Sequence, residues 1–232
     1  MRAIDLLNPL EFLDINEIDE VDAGYLVIGS GIAGLRSALE IAAQDNVTII
    51  TKSEIIEANT RYAQGGIAVV YSEDDRFDLH IEDTMYAGAG LCELEPVEVL
   101  VKEGPARIDE LININTNFDR KENGKLSLTK EAAHSKNRIL HAGDTTGAEI
   151  ERALTEEVKK KKNIKILEYN FLIEICGKNE AVVYDILKEK FLLMKCKAII
   201  IATGSIGEIY QNSTNPEVAT GDGIASAYRN GV

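Results

Sequence analysis

The chain has no excess of basic charge: 39 Asp and Glu face 25 Lys and Arg, a formal net charge of −14 over 232 residues. A nucleic acid or an anionic membrane would find no basic face to meet, so neither is expected as a partner. Cysteine is scarce. Cys92, Cys176 and Cys196 are odd in number and far apart, with no CxxC or CxxH spacing. That excludes a disulfide framework and a zinc finger, and suggests reduced, mostly buried thiols. His134 and His141 also lack metal-ligand spacing, so no metal is expected. No apolar run approaches the length of a membrane span. The opening residues 1–23 are rich in Asp and Glu and resemble neither a secretory signal nor a transit peptide, which makes the cytoplasm the expected location.

The stretch from Tyr25 to Thr51 organises the rest. An apolar run, Tyr25 to Ile28, enters a glycine turn, Gly29-Ser30-Gly31-Ile32-Ala33-Gly34. An amphipathic helix with Leu35, Leu39 and Ala42 follows, then a second β-rich run, Val47 to Ile50. Strand, glycine turn, helix and strand in about thirty residues form the context of a dinucleotide-binding βαβ unit. Gly29 permits the tight turn, Gly31 lets backbone approach a pyrophosphate, and Gly34 lets the helix lie close on the strand. The helix N-terminus then presents amide groups and its dipole to the anion. After the second strand, many such folds place an acidic residue against a ribose. Here Thr51, Lys52 and, slightly later, Glu54 stand instead. Lys52 has two readings, a contact to the adenosine ribose or a phosphate, and a solvated surface lysine.

Asn59, Thr60, Arg61, Tyr62, Ala63, Gln64, Gly65 and Gly66 form a polar, glycine-bearing loop before the apolar run from Ile67. It reads either as a surface loop or as a segment lying along a flat ligand, with bare backbone at the glycines. Helices are expected over 78–89, with His80 on the polar side, and over 96–113, with Val97, Leu100, Val101, Ile108, Leu111 and Ile112 as its core stripe. A further helix is expected over 148–161, capped by Asp144 or Thr146, with a lysine run at its C-terminal end. Residues 163–196 alternate in three bursts, ILEYNFLIEI, AVVYDIL and FLLMKC, as a β-meander. An apolar parallel strand returns at 197–202 and ends at Thr203-Gly204. A second glycine turn, Gly221-Asp222-Gly223, opens a last helix. The expected fold is α/β: a Rossmann-like parallel sheet with flanking helices and a β-meander, incomplete at its C-terminus. Residues 1–23 form an acidic lead, either a short helix or a mobile arm, and 24–232 form the nucleotide-binding domain.

These motifs together resemble the L-aspartate oxidases, within the succinate dehydrogenase and fumarate reductase flavoprotein superfamily. The matching segments are GSGIAGL (29–35), TRYAQGGIA (60–68), HIEDTMYAGAGLC (80–92), LTKEAAHS (128–135), RILHAGDTTG (138–147) and AIIIATGSIGEIYQNSTNPEVATGDGIASA (198–227). The resemblance implies noncovalent FAD and oxidation of L-aspartate to iminoaspartate. Oxygen or fumarate would be the electron acceptor, and the product would feed quinolinate synthesis for NAD, with quinolinate synthase as a possible partner. It places FAD contacts at Ser30 to Ala33, Lys52, Asn59 to Gly66, Phe171, Leu172 and Asp222, beside Gly29, Gly34, Thr203 and Gly204 of the glycine turns. Asn59 stands where the dehydrogenases carry the histidine that bonds covalently to FAD. Glu131 stands where they carry an apolar aromatic residue. A carboxylate there suits a substrate with an α-ammonium group and would repel succinate, so Glu131 is the candidate for substrate orientation. The family's Gly-Gly after this glutamate is Ala132-Ala133 here. The family's proton-transfer arginine and capping domain lie C-terminal to the matched segments, so the chain alone is expected to bind FAD weakly and turn over little. Two rival readings are a soluble fumarate reductase or succinate dehydrogenase-like flavoprotein and a noncatalytic nucleotide-binding module.

Overall fold

The computed structural model describes Leu10 and residues 18–232. The chain divides into two units, Met1–Tyr62 together with Leu154–Val232, and Ala63–Ala153. Most of the acidic lead lies outside the described residues. Near its end, Asp19–Asp22 form strand β1.

The first unit is built on a parallel sheet of β2 (Tyr25–Ile28), β3 (Val47–Ile50), β7 (Ile164–Leu167) and β11 (Ile199–Ile201), in the order β11-β2-β3-β7. The sequence explains why these strands lie inside. Leu26, Val27 and Ile28 are all buried, as is every residue of β3, so apolar side chains leave on both faces, as in sheets covered by helices. Helix α1 (Ile32–Ile41) joins β2 to β3 and buries Gly34, Leu35 and Ala38. The Asn163 side chain closes the far end of this βαβ unit, donating to the carbonyls of Ala42 (2.8 Å) and Asp45 (2.7 Å).

A second sheet in this unit carries β8 (Asn170–Cys176), β9 (Glu180–Asp185) and β10 (Lys190–Lys195) as an antiparallel meander, with β1 parallel to β10 at its edge. One apolar core joins the two sheets: Leu26, Ile28 and Ile50 pack with Leu172, Ile175, Ala181, Val183, Leu192 and Met194. Burying each large side chain here stabilises the fold by about 1.5–3 kcal/mol. The expected first burst, ILEYNFLIEI, is corrected. It is two strands in different sheets, because Tyr169 takes a left-handed conformation (φ 57°) that turns the chain from β7 into β8. Alternation reports which residues are buried, not which sheet receives them. Helix α5 (Asp222–Arg229) then packs on β8.

The second unit holds helices α2 (Phe77–Ala87) and α3 (Leu94–Asn113), packed on each other, and a small antiparallel sheet. Its strands β4 (Ile67–Ala68), β5 (Leu128–Thr129) and β6 (Ile139–Leu140) run in the order β4-β6-β5. Helix α4 (Thr146–Lys160) starts here. Thr146, one of the two expected cap residues, is the first residue of this helix, and its hydroxyl accepts from the Ala142 N–H at 3.1 Å. In the α3 stripe Val97, Val101 and Ile108 are buried, whereas Leu100 is 69% exposed, a correction to its expected core place. A second correction concerns His80, which is buried with only 6% exposed, its ring edge-on to His134 at 5.8 Å.

Near His80 lies a charged knot. Arg138, fully buried, donates through Nε and Nη2 to both oxygens of the equally buried Asp75 (2.9 and 2.8 Å), and through Nη1 to Asp83 at 2.7 Å. Asp83 also accepts the Ser135 N–H (2.7 Å) and hydroxyl (2.8 Å). Burial works against the charge on Asp83, but Ser135 and Arg138 outweigh it and hold the carboxyl below its usual range. Burial, then the charge of Arg138 and the neighbouring His134, push His80 down. The three cysteines are free and half-buried, less covered than expected. Among the described residues, no helix is long and apolar enough to cross a membrane.

Candidate cofactor-binding site

Strand β2 sits at the centre of the parallel sheet, with β3 on one side and β11 on the other. Connections leaving β2 and β11 diverge there, and open α/β sheets bind ligands at the carboxyl ends of such strands. A cavity of about 360 Å³ lies at that place, lined by Ile28 to Ala33, Ile50 to Lys52, Glu57 to Thr60, Asn170 to Leu172, Ile201 to Gly204, Val218, Ala219, Asp222 and Ile224.

The glycine turn shapes its floor. Gly29 has φ +110°, and a Cβ there would sit 2.2 Å from the Ala202 carbonyl oxygen of β11. Gly34 lies under α1 and does not line the cavity. A Cβ on it would be 2.0 Å from the Gly29 oxygen, so its absence is what lets the helix lie on the turn. Gly31 is the extended residue that starts α1, and a Cβ there would reach within 3.3 Å of the Thr60 hydroxyl. The Ile32 N–H donates to that hydroxyl at 3.0 Å. The first turn of α1 contains no acidic residue and Gly31 brings no side-chain cap, so the positive end of the helix dipole opens on the cavity.

Behind the turn, Ser30 donates to the Thr51 hydroxyl at 3.2 Å, a buried bond tying the ends of β2 and β3. Thr51, where an acidic residue was considered, therefore serves the sheet. Lys52 reaches across the cavity: its ammonium pairs with the Asp222 carboxylate at 2.5 Å, donates to the Thr220 hydroxyl and lies 5.6 Å from the Phe171 ring centroid. Thr220 in turn donates to Asp222 at 2.6 Å. On the opposite wall Asn59 donates to Ser205 at 3.4 Å, beside Gly204.

Of the sequence candidates, Gly29 to Ala33, Lys52, Asn59, Thr60, Phe171, Leu172, Thr203, Gly204 and Asp222 line this one cavity. Arg61 and Tyr62 belong to the same short 3₁₀ turn as Asn59 and Thr60 but do not line the cavity. Tyr62 donates to Glu57 at 2.8 Å and borders a separate polar groove with Glu54 and Glu217. Ala63, Gln64, Gly65 and Gly66 fall in the second unit. Gly66 packs on β6, where a Cβ would meet the Ile139 side chain at 2.4 Å, while Gly65 faces open space. Glu131, also in the second unit, is exposed in the turn after β5, and Ala133 behind it holds φ 65°. The cavity adds residues the sequence reading passed over. Val218 and Ala219 lie within the matched segment 198–227 but are not among the cofactor candidates. Asn170 stands next to a pair already singled out, and its buried Oδ1 has no hydrogen-bond partner among the described residues. Among the described residues, no group of three or more His, Cys, Asp or Glu side chains is placed to hold a metal ion.

Comparison with known proteins is decided by one match: the FAD binding domain family covers residues 25–232. The chain belongs to the FAD binding domain family. FAD is the cofactor of that family. The chain is 46% identical over 213 residues to the L-aspartate oxidase, chloroplastic, of Oryza sativa subsp. japonica, a match covering 88% of this chain and 33% of that protein. It is 45% identical over 237 residues to its counterpart in Arabidopsis thaliana, covering 99% and 35%, and 38% identical over 226 residues to the L-aspartate oxidase of a Nostoc species, covering 95% and 39%. The chain thus spans about a third of the length of these relatives. Among solved structures it is similar to Mycobacterium smegmatis Sdh1, at 30% identity and TM-score 0.86, covering 92% of this chain and 39% of that one. An E. coli quinol fumarate reductase variant matches at 25% identity and TM-score 0.86, covering 90% and 37%. The α/β architecture expected from the sequence is therefore that of a known FAD binding domain.

The cavity fits such a group on its own terms. A dinucleotide needs an anion site without side chains, and the Gly29–Gly31 cradle beneath an α1 N-terminus free of acidic residues is one. It also needs hydrogen-bonding partners along its length, which Lys52 and Asp222 provide, and an apolar floor, which Ile28, Ile50 and Leu172 provide.

Proposed function

We propose that this chain is the FAD-holding part of an L-aspartate oxidase. The reaction is oxidation of L-aspartate to iminoaspartate, with oxygen or fumarate as the final acceptor and the product passing on to quinolinate synthesis. The observation that carries the cofactor half of this reading is the α1 N-terminus over Gly29–Gly31, free of acidic residues and set at the carboxyl end of β2 between β3 and β11. When bound, FAD supplies a two-electron acceptor, which no side chain here can. Gly29, Ser30, Gly31, Ile32 and Ala33 would hold the pyrophosphate through backbone, and Lys52 and Asp222 would hold polar groups of the cofactor. Asn59 has no ring nitrogen with which to form a covalent flavin link, which favours noncovalent binding.

The substrate half rests on Glu131 and on the names of the relatives. A carboxylate hydrogen-bonded to the α-ammonium group of aspartate would orient the Cα–H bond for removal of hydride. Adding L-aspartate anaerobically to a FAD-loaded full-length version should bleach its flavin absorption, and succinate should do so far less. Glu131→Gln should slow reduction by aspartate by about 10- to 100-fold, the scale of a lost hydrogen bond to a charged group, without slowing reduction by succinate. Bleaching by succinate alone would instead favour a dicarboxylate dehydrogenase. An aspartate rate untouched by the substitution would remove Glu131 from the site.

A further inference from the structure

Helix α5 opens with Asp222 in the cavity and carries Ser226, Arg229 and Asn230 four, seven and eight positions further on. At 3.6 residues per turn these four lie on one face. That face does not meet apolar core; three of its members meet a single carboxylate. Glu174 of β8 is 3% exposed and accepts from the Ser226 hydroxyl, from Arg229 Nε and from Asn230 Nδ2 (3.0 Å), as well as from the Ile175 N–H (3.0 Å). The Ile175 N–H also reaches the Ser226 oxygen at 3.0 Å. Glu174 stands where the β8–β9 register shifts, just past the cavity residue Leu172. No core motif asks for a buried carboxylate at this place, and every donor it gathers from outside its own strand comes from α5 or the residue that ends it.

The start of the helix is held by packing. A Cβ at Gly223 would lie 2.1 Å from the Thr203 hydroxyl, and Gly221 is left-handed (φ 80°) against Ile206. Packing at one end sets the helix's distance but leaves it free to turn about its axis. Turning α5 would swing Asp222 away from Lys52 and out of the cavity, and the donors on Glu174 oppose that turn.

We propose that Glu174 is a positioning residue for the cofactor: by fixing the rotation of α5 it sets Asp222 against the group bound in the cavity. This rests on reading the cavity as the FAD site, and it assigns Glu174 no contact with FAD. The test is a double-mutant cycle on FAD affinity, read from quenching of flavin fluorescence, with the wild-type chain, Glu174→Gln, Asp222→Ala and the double variant. Glu174→Gln puts an amide N–H₂ where Arg229 Nε now donates, so FAD should bind about tenfold more weakly, the scale of one charge-assisted hydrogen bond. In the Asp222→Ala background the same change should weaken binding less than about twofold, because the residue it positions is gone. Ser226→Ala, which removes another donor while sparing the carboxylate, should show the same dependence on Asp222 and serves if Glu174→Gln fails to fold. Equal losses in both backgrounds, or no loss in the wild-type background, would overturn the role of Glu174 while leaving the FAD site intact. A wild-type chain that quenches no FAD would overturn the site itself and the proposal with it.

Discussion

Gly29→Ala should abolish FAD binding and cost the first unit about 3 kcal/mol or more in urea unfolding, the upper end of overpacking costs with backbone strain added. Two independent observations carry this. Gly29 holds φ +110°, a region that L-residues rarely enter. Its missing Cβ would also lie 2.2 Å from the Ala202 oxygen and 2.7 Å from the Ala202 carbonyl carbon, both backbone atoms. Ala202 cannot withdraw cheaply, because its N–H donates to the Ile28 carbonyl at 2.8 Å and extends the β2–β11 ladder. The methyl group would have to part the strands whose ends form the cavity. Gly65→Ala is the matched control: its Cβ meets nothing within 4 Å and its φ is not positive, so stability should change by less than about 0.5 kcal/mol. Equal effects at the two glycines would contradict the role given to the cradle.

Arg138→Met should destabilise the second unit by about 3–5 kcal/mol in the same measurement, because it leaves Asp75 buried and uncompensated. The pH dependence should change with it. His80 is pushed below its ordinary 6.5, with Arg138, His134, Asp75 and Asp83 as its charged or titratable neighbours. Below 6.5 the unfolded chain takes up this proton before the folded one, so stability falls as pH falls through that window. Asp83 is held below its ordinary 3.8, so the stability it contributes is present above that value and lost as pH drops through its lower folded value. Both shifts depend in part on Arg138. The wild-type unfolding midpoint should therefore fall on acidification from neutral pH, and the Arg138→Met midpoint, lower throughout, should fall less steeply. A variant with wild-type stability would mean that the knot is not what holds this unit together.

How much of this was legible in the sequence depended on whether a residue's partner was near in the chain. The β2–turn–α1–β3 unit was legible because period, glycine spacing and length all act within about thirty residues. The last strand and helix were legible for the same reason. The contact between Lys52 and Asp222 was not. Each could be flagged, one by its place after β3 and the other by its glycine turn, but only the folded sheet brings residues 170 apart to one cavity. His80 was placed on the wrong side because its helix neighbours Glu82 and Asp83 are polar, and a polar face ordinarily meets water. Here Asp83 turns to Arg138 instead, and an arginine with no exposed surface leaves no mark in a hydropathy pattern. β1 was hidden likewise: Asp19, Glu20 and Asp22 look solvated, and they are largely exposed, yet their backbone pairs with β10.

The central claim is that the cavity above Gly29–Gly31 holds FAD noncovalently. Its most direct test is the absorption spectrum of a full-length version of the protein after incubation with FAD and gel filtration, repeated after acid precipitation. The account predicts flavin bands that travel with the protein and stay in solution when acid removes it. A folded protein that elutes colourless, or a flavin that precipitates with the chain, would contradict it.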